Sequence, residues 1–461
     1  MKLREFLKMI TLAGCLAVCS LRATADVDSA EAAIRDQVAI LVSHNAYREL
    51  ETDLKQYKAD VEARFPVRLH IVEGAWGDPA EMRAAIKELY GKEEIAGVIL
   101  VGAVPMHRFF MHEHANPNPL YYEDFDLQFI DNDKNGVADA YKGKPQLKVW
   151  IANIRACEKA REDDIPGLHR FFAKTHDYYT GKAVPELRTL LLSTSDWPGT
   201  GDEFRRHGGT RFSAPGDITM LLGKACTLKA ARKAFEKHSY TLTYVGLHSD
   251  ETGQAMEDTD LLSQEIANMT TGSLITINHG CFAGNWPKND DEKSGLNCAL
   301  SWVFGKHLGQ AVIAQVRSGG IGFDNLIYAR LRAGDYLGKA YLLCKQAHEI
   351  EASPGDHTPG DIVSGILLVG NPFLELKPVQ GRVRLVIKNA VYGDFSNSAV
   401  TNVTQLLADW VDDNTLTVDV PNDDFGDPAN GIVKQLKVNY TFDGKEASKT
   451  VKDGETLKIK R

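Results

Sequence analysis

The sequence predicts an α/β protein: a parallel sheet flanked by helices, built as two tandem α/β subdomains, with a small β-sandwich behind them. Three observations carry this. From Gln37 to about Gly370, short apolar β-branched runs alternate with longer segments whose apolar residues recur at helical spacing. Strands separated by helices pair in parallel and need cover on both faces. After Pro378 long helical patterns give way to alternating stretches.

The elements follow in order. Val38–Val42 reads as a strand, Arg48–Arg64 as a helix, Val67–Val72 as a second strand and Pro79–Tyr90 as a helix with proline in its first turn. Gly97–Val101 is a third, wholly apolar strand, and a loop-rich stretch leads to the strand Lys148–Ile154 and a helix near Asp164–Tyr179. Strands are then expected at Leu187–Ser193, Thr241–Leu247, Leu274–Ile277 and Ala311–Val316. Helices between and after them include Leu261–Met269, Leu296–His307 and Tyr336–Glu351, and the region closes near Gly370-Asn371-Pro372. The last module carries strands at Val383–Ile387, Thr415–Val420 and Lys437–Phe442 and a short helix at Thr404–Trp410. The expected divisions are 1–25, 26–183, 184–378 and 379–461.

Residues 1–25 read as a signal peptide: Lys2, Arg4 and Lys8, then the apolar Met9–Leu21, then Ala23-Thr24-Ala25 before a cleavage point. Leu12-Ala13-Gly14-Cys15 also matches a lipoprotein box with Cys15 as lipid anchor, but that leaves only Met9–Gly14 as apolar segment, so cleavage after Ala25 is favoured. Either route predicts export to the periplasm, the cell surface or the medium. Only about a dozen residues separate Ala25 from the first strand. The formal charge is −9, and removing a leader of net +3 leaves about −12. An acidic chain without basic runs argues against nucleic acid, and no later segment is long and apolar enough to span a membrane. Five cysteines follow the leader, so at least one thiol is left over from any internal pairing.

Two expected strand ends carry reactive side chains. Thr241–Leu247 runs into His248-Ser249-Asp250, and Leu274–Ile277 runs into Asn278-His279-Gly280-Cys281. In doubly wound sheets, ligands sit beyond the carboxyl ends of strands. If these two strands are neighbours in a parallel sheet they lie roughly 5 Å apart, and their loops then bring an imidazole to a thiol. A nearby imidazole raises the thiolate fraction and can later protonate a leaving amine. His279 and the distant His248 both qualify on chemistry, and a buried structural cysteine is the alternative to a nucleophile. Gly280 would let a substrate approach the backbone, and Trp286 either lines the cleft or caps the sheet.

Eight segments occur in one order over the 280 residues from Gly97 to Leu376: GVILVGAVP, YYEDFDLQFIDNDKNGVAD, VWIANIRA, TYVGLHSDETG, LITINHGCFAGNW, GQAVIAQ, LGKAYL and ILLVGNPFLEL. In that order they resemble the cysteine peptidases of the gingipain family, in the caspase-like clan. The resemblance implies a caspase-like α/β sheet, followed by an immunoglobulin-like β domain. It also implies a Cys281–His248 dyad, separated by 33 residues, with His279 and Gly280 lining the cleft. Such an enzyme hydrolyses protein or peptide substrates through an acyl-enzyme. The N–H groups of Cys281 and of the residue after the histidine hold the oxyanion. Relatives usually have glycine there; this chain has Ser249, which supplies an N–H only if the loop needs no positive φ. Leu247 stands where a small residue is common. The pattern YGDF…FGDPANG…LKVNYTFDG also resembles small C-terminal β domains of other proteins.

A second constellation is Asp131, Asp133, Asn135, Val137 (through its peptide oxygen) and Asp139, with Gly136 at the sixth position of a calcium-loop spacing. The glutamate of the twelfth position is replaced by Lys142, so a further carboxylate, from Asp124 or Asp126, is expected. Gingipain-like proteins bind calcium, and a structural calcium ion is the reading; a turn capped by Asx side chains is the alternative. His107, His112 and His114 read as a solvated loop, and Ser318–Gly322 as a cleft wall. Two rivals stand beside the peptidase: an inactive peptidase fold acting as a surface binding protein, and a metal hydrolase built on His107–His114.

Overall fold

The computed structural model describes residues 36–111, 113–156, 163–286, 296–318, 324–351, 365–379, 385–411, 415–420 and 425–460. The leader with Cys15, Cys157, His112 and most of the Ser318–Gly322 segment lie outside the described residues.

Ten strands make the central sheet. In chain order they are β1 Asp36–Ser43, β2 Val67–Gly74, β3 Ile95–Val101, β4 Trp150–Ile154, β5 Thr189–Ser193, β6 Ile218–Leu222, β7 Tyr240–Gly246, β8 Ser273–Asn278, β9 Ala311–Gln315 and β10 Ile366–Gly370. Across the sheet the order is β6-β5-β7-β8-β9-β10-β4-β3-β1-β2. Every pairing is parallel except β9 with β10. The sheet is therefore two parallel runs joined at one antiparallel seam, and their carboxyl ends leave opposite edges. The expected α/β class holds, and a continuous ladder of hydrogen bonds links the strands of both expected subdomains. β6, and the role of β10 as the seam strand, were not anticipated. ITMLL is a half-buried edge strand without a β-branched core run, and strand direction leaves no local mark in sequence.

β4, β5, β7, β8, β9 and β10 are buried at every position, as strands covered on both faces must be. The helix His44–Arg64 shows why the covers form. Ser43 caps it by accepting the Ala46 N–H at 3.2 Å, and Ala46, Leu50, Leu54, Tyr57 and Val61 make one buried stripe. That stripe meets the helix Ile165–Tyr179, where Tyr57 and Phe172 pack edge to face at 5.7 Å. Truncating Leu54 to alanine here costs about 2–5 kcal/mol.

Beyond Pro378, β11 Leu385–Asp394, β12 Ala399–Asn402, β14 Gln435–Phe442 and β15 Lys445–Lys452 form an antiparallel sheet in the order β12-β11-β14-β15. β13 Leu416–Asp419 pairs with β16 Thr456–Ile459. Leu385, Tyr392, Leu407, Leu436, Val438 and Leu457 give this unit its own core. The expected short helix is present at Thr404–Trp410. No helix of the described residues is long and apolar enough to cross a membrane.

Candidate active site

β7 and β8 are neighbours, and Val245 pairs with Asn278 in parallel register. His248 and Cys281 each follow three residues later, so both leave the sheet from the same height. The two loops touch. Ser249 Oγ donates to the Cys281 carbonyl at 2.7 Å, and the His279 N–H donates to Val245 O at 2.8 Å. Ser249 is absent from the described residues with positive φ, so it takes this position without left-handed strain.

The cysteine sits at the start of a tight turn. Asn278 Oδ1 accepts the Gly280 N–H at 2.9 Å and shapes the approach from the strand. Phe282 then takes φ 55°, a left-handed conformation that costs a residue with a Cβ on the order of 1–2 kcal/mol. The turn is tied to the next strand tip: the Phe282 N–H donates to Arg317 O at 3.0 Å and the Gly284 N–H to Gln315 O at 2.7 Å. Ser318, on that tip, places its hydroxyl 4.0 Å from Cys281 Sγ. Gly280 allows this closeness. A Cβ there would lie 2.0 Å from Ser249 Oγ and 2.8 Å from Ser249 Cβ. Cys281 is half-buried, while Cys226, Cys298 and Cys344 are buried, and none of the four is in a disulfide.

His248 is more than half exposed and turns Nε2 toward Asp196 Oδ2 at 3.8 Å. With 56% and 64% of the two side chains accessible, the pair contributes roughly 0–1 kcal/mol to stability, and its consequence is orientation. Nε2 faces the carboxylate, and Nδ1 is the ring nitrogen turned away from it. Trp197 lies with its ring centroid 5.1 Å from the His248 ring. Sequence reasoning passed over both residues, because Ser195-Asp196-Trp197-Pro198-Gly199 has the composition of an ordinary turn. The signal that could have found them is position: they follow β5, the strand beside β7.

The other candidates are placed as follows. His279 is half-buried and packs against Tyr244, the ring centroids 4.8 Å apart and the planes tilted by 42°. Trp286 is 1% exposed, so it packs in the core instead of lining a cleft, and its carbonyl accepts Arg108 Nη1 at 2.7 Å. A further hydrogen bond couples the two loops, Asn285 Nδ2 to Glu251 Oε1 at 2.8 Å. His107 is stacked flat on Tyr121 at 3.8 Å, and burial, with the nearby Arg83, lowers its pKa to about 3. It is a packing residue, while His114 packs instead against Phe282 at 4.7 Å.

The 131–139 loop closes a β-hairpin between Gln128–Ile130 and Ala140–Lys142. Asp131 Oδ2 accepts the Gly136 N–H at 2.8 Å, Asn135 Oδ1 accepts the Val137 N–H at 2.8 Å, and Asp139 Oδ1 accepts Asn132 Nδ2 at 2.8 Å. Local desolvation raises the Asp131 pKa, but the surrounding N–H groups and the Asp133 side chain outweigh it and hold Asp131 below the usual carboxylate range. The closeness of Asp131 and Asp133 is the donor chemistry a hard cation needs. Asp124 does not supply the extra ligand. Its buried carboxylate accepts the N–H groups of Asp126 at 2.7 Å, Leu127 at 3.1 Å and Gln146 at 2.5 Å. Among the described residues no group of three or more His, Cys, Asp or Glu is gathered as a metal site.

Residues 380–459 match the family described as DnaJ-like protein C11, C-terminal. No curated protein matches the chain. Among solved structures, the chain is similar to the branched-chain amino acid transporter substrate binding protein LivJ from Streptococcus pneumoniae, at 10% identity and a TM-score of 0.15 over 91% of this chain and 99% of that one. A likeness at that score carries no argument.

Proposed function

We propose that the chain is an exported, gingipain-like cysteine endopeptidase with Cys281 as nucleophile and His248 as base and then acid. One observation carries the reading: adjacent parallel strands in register at Val245 and Asn278 deliver an imidazole and a thiol to loops joined by the Ser249–Cys281 hydrogen bond. In the first step His248 takes the thiol proton while sulfur bonds to the peptide carbonyl carbon. The backbone N–H groups of Cys281 and Ser249 hold the resulting oxyanion. The carbon–nitrogen bond then breaks, and His248 returns the proton to the departing amine. Water, deprotonated by His248, hydrolyses the thioester and restores the thiol. Asp196 steadies the imidazolium formed on the way. The 131–139 hairpin loop would hold calcium through Asp131, Asp133, Asn135, the Val137 carbonyl and Asp139 as a brace, with no part in the reaction.

A second reading, a peptidase fold serving as a binding protein, draws on Ser249, which fills the position relatives leave to glycine and bonds to the nucleophile's own carbonyl. Thiol labelling separates the two. An active dyad makes iodoacetamide modify Cys281 near neutral pH well ahead of Cys226, Cys298 and Cys344, with the preference and peptide cleavage both lost in His248→Ala. Exposure alone also favours Cys281, so the decisive result is the histidine dependence. Labelling that His248→Ala leaves unchanged, with no peptide cleaved by the wild type, sinks the peptidase.

A further inference from the structure

The sheet order sets three loops in a line: Asp196-Trp197 beyond β5, His248 beyond β7 and Cys281 beyond β8. Trp197 is therefore on the side of His248 away from the nucleophile. Its indole is 46% exposed and tilts 46° against the imidazole. The ring stands on a fixed turn. The Trp197 N–H donates to Thr194 O at 3.3 Å, and Trp197 O accepts Thr200 Oγ1 at 2.8 Å. Thr200 opens the helix Thr200–Arg206, anchored by Phe204 packing at 5.5 Å on Tyr244 and 5.7 Å on Tyr328. An indole left about half in water beside an imidazole, its backbone tied by two hydrogen bonds, offers a flat apolar face to a substrate side chain.

Resting on the peptidase reading, we infer that Trp197 is a specificity-determining residue that binds the side chain of the amino acid carrying the leaving amine. The acyl half of the substrate is bonded to Cys281, whereas the departing nitrogen is protonated by His248 and so lies on the histidine side of the broken bond. The next surface along that direction is the Trp197 indole. A flat aromatic or large apolar side chain immediately after the scissile bond stacks on it. Asp196, whose carboxylate lies 3.8 Å from His248 Nε2, disfavours an acidic residue there.

The test uses the full chain and two peptide series that share the sequence before the scissile bond and differ only in the residue after it, phenylalanine or glycine. Wild type is expected to favour phenylalanine roughly ten-fold in kcat/KM. Trp197→Ala should bring that ratio to about one, and Trp197→Phe should keep most of it. Trapping the acyl-enzyme with added amines reads the same surface: phenylalaninamide should outcompete glycinamide on wild type and lose its advantage on Trp197→Ala. An equal fall for both peptides would show that Trp197 only steadies His248 and would overturn the inference. So would a wild type that cleaves without preference. A wild type that cleaves neither peptide, in a library where no other is cut, removes the peptidase reading along with it.

Discussion

At the carboxyl tips of β1, β2 and β3 the chain places Ser43-His44, Gly74-Ala75-Trp76 and Ala103-Val104-Pro105, around a cavity of about 250 Å³. At the tips of β5, β7, β8 and β9 it places Asp196, His248, Cys281 and Ser318. The two edges are built alike, from parallel strands with helices on both faces. At the first, polar groups serve the fold: Ser43 caps a helix, and Asp163 accepts the Ala103 N–H. His44 pairs with Glu73 at 3.6 Å, both side chains about half exposed. At the second, a half-buried thiol and an accessible imidazole stand on adjacent loops joined by the Ser249–Cys281 hydrogen bond. Strand-tip convergence supplies a place, and chemistry needs side chains that the local loops leave available.

The largest test of that contrast pairs one histidine from each edge. His248→Ala should lower kcat by about 10²–10⁴-fold, the usual contribution of a general base. His44→Ala should stay within about two-fold, because an exposed pair of this kind contributes little. Comparable losses in cleavage assays would erase the distinction between the edges.

Next in size is Gly280→Ala. The new methyl meets Ser249 at both Oγ and Cβ, and overpacking of this kind costs roughly 1–3 kcal/mol. Denaturant melts should show that loss alongside slower cleavage, and combining it with Ser249→Gly should restore much of the stability. No recovery in the double variant would mean the two loops are not clamped where the Ser249–Cys281 bond places them.

Acid should weaken the scaffold beneath the reactive edge. His307 follows the helix Cys298–Phe304, its Nε2 donating to Ser301 O at 2.9 Å and its Nδ1 accepting the Gly309 N–H at 3.1 Å. Burial, with nearby Lys174, lowers its pKa from 6.5 to about 3. The unfolded chain takes the proton first. Stability is therefore complete above the unfolded value and is lost as pH falls from 6.5 toward 3. Urea midpoints should drop by the equivalent of about 2 kcal/mol by about pH 4.5, and His307→Gln should flatten the dependence.

The smallest expected effect is calcium at the 131–139 hairpin. Added calcium should raise the melting temperature by roughly 4 °C, and Asp131→Ala should abolish the rise. Cleavage by the folded protein should respond far less than it does at His248. A melting temperature indifferent to calcium and chelator would return the loop to a turn held by its own Asx side chains.

How much was readable in advance varied with the range of the interaction. Leu274–Ile277 and Thr241–Leu247 announced themselves as strands because β-branching and burial act within a few residues, and their reactive ends came with them. Asp196 and Trp197 did not, since they matter only through the strand that happens to lie beside β7. Trp286, expected as either cleft wall or sheet cap, is buried in the core; an aromatic residue after a tight turn looks the same in either place. Asp124, taken as a possible ligand, is engaged by three backbone N–H groups that the chain supplies from 126, 127 and 146.

The amino-acid order alone determined the α/β alternation, the switch to an antiparallel unit after Pro378 and the residues able to do thiol chemistry, because side-chain periodicity and functional-group identity are local properties. Tertiary structure decided that β10 runs against β9, that β7 lies between β5 and β8, and that His248 and Cys281 emerge at one level. Those outcomes come from hydrogen bonds and packing between segments tens to hundreds of residues apart, whose free energies depend on the whole assembled core and leave no signature in any one stretch of chain.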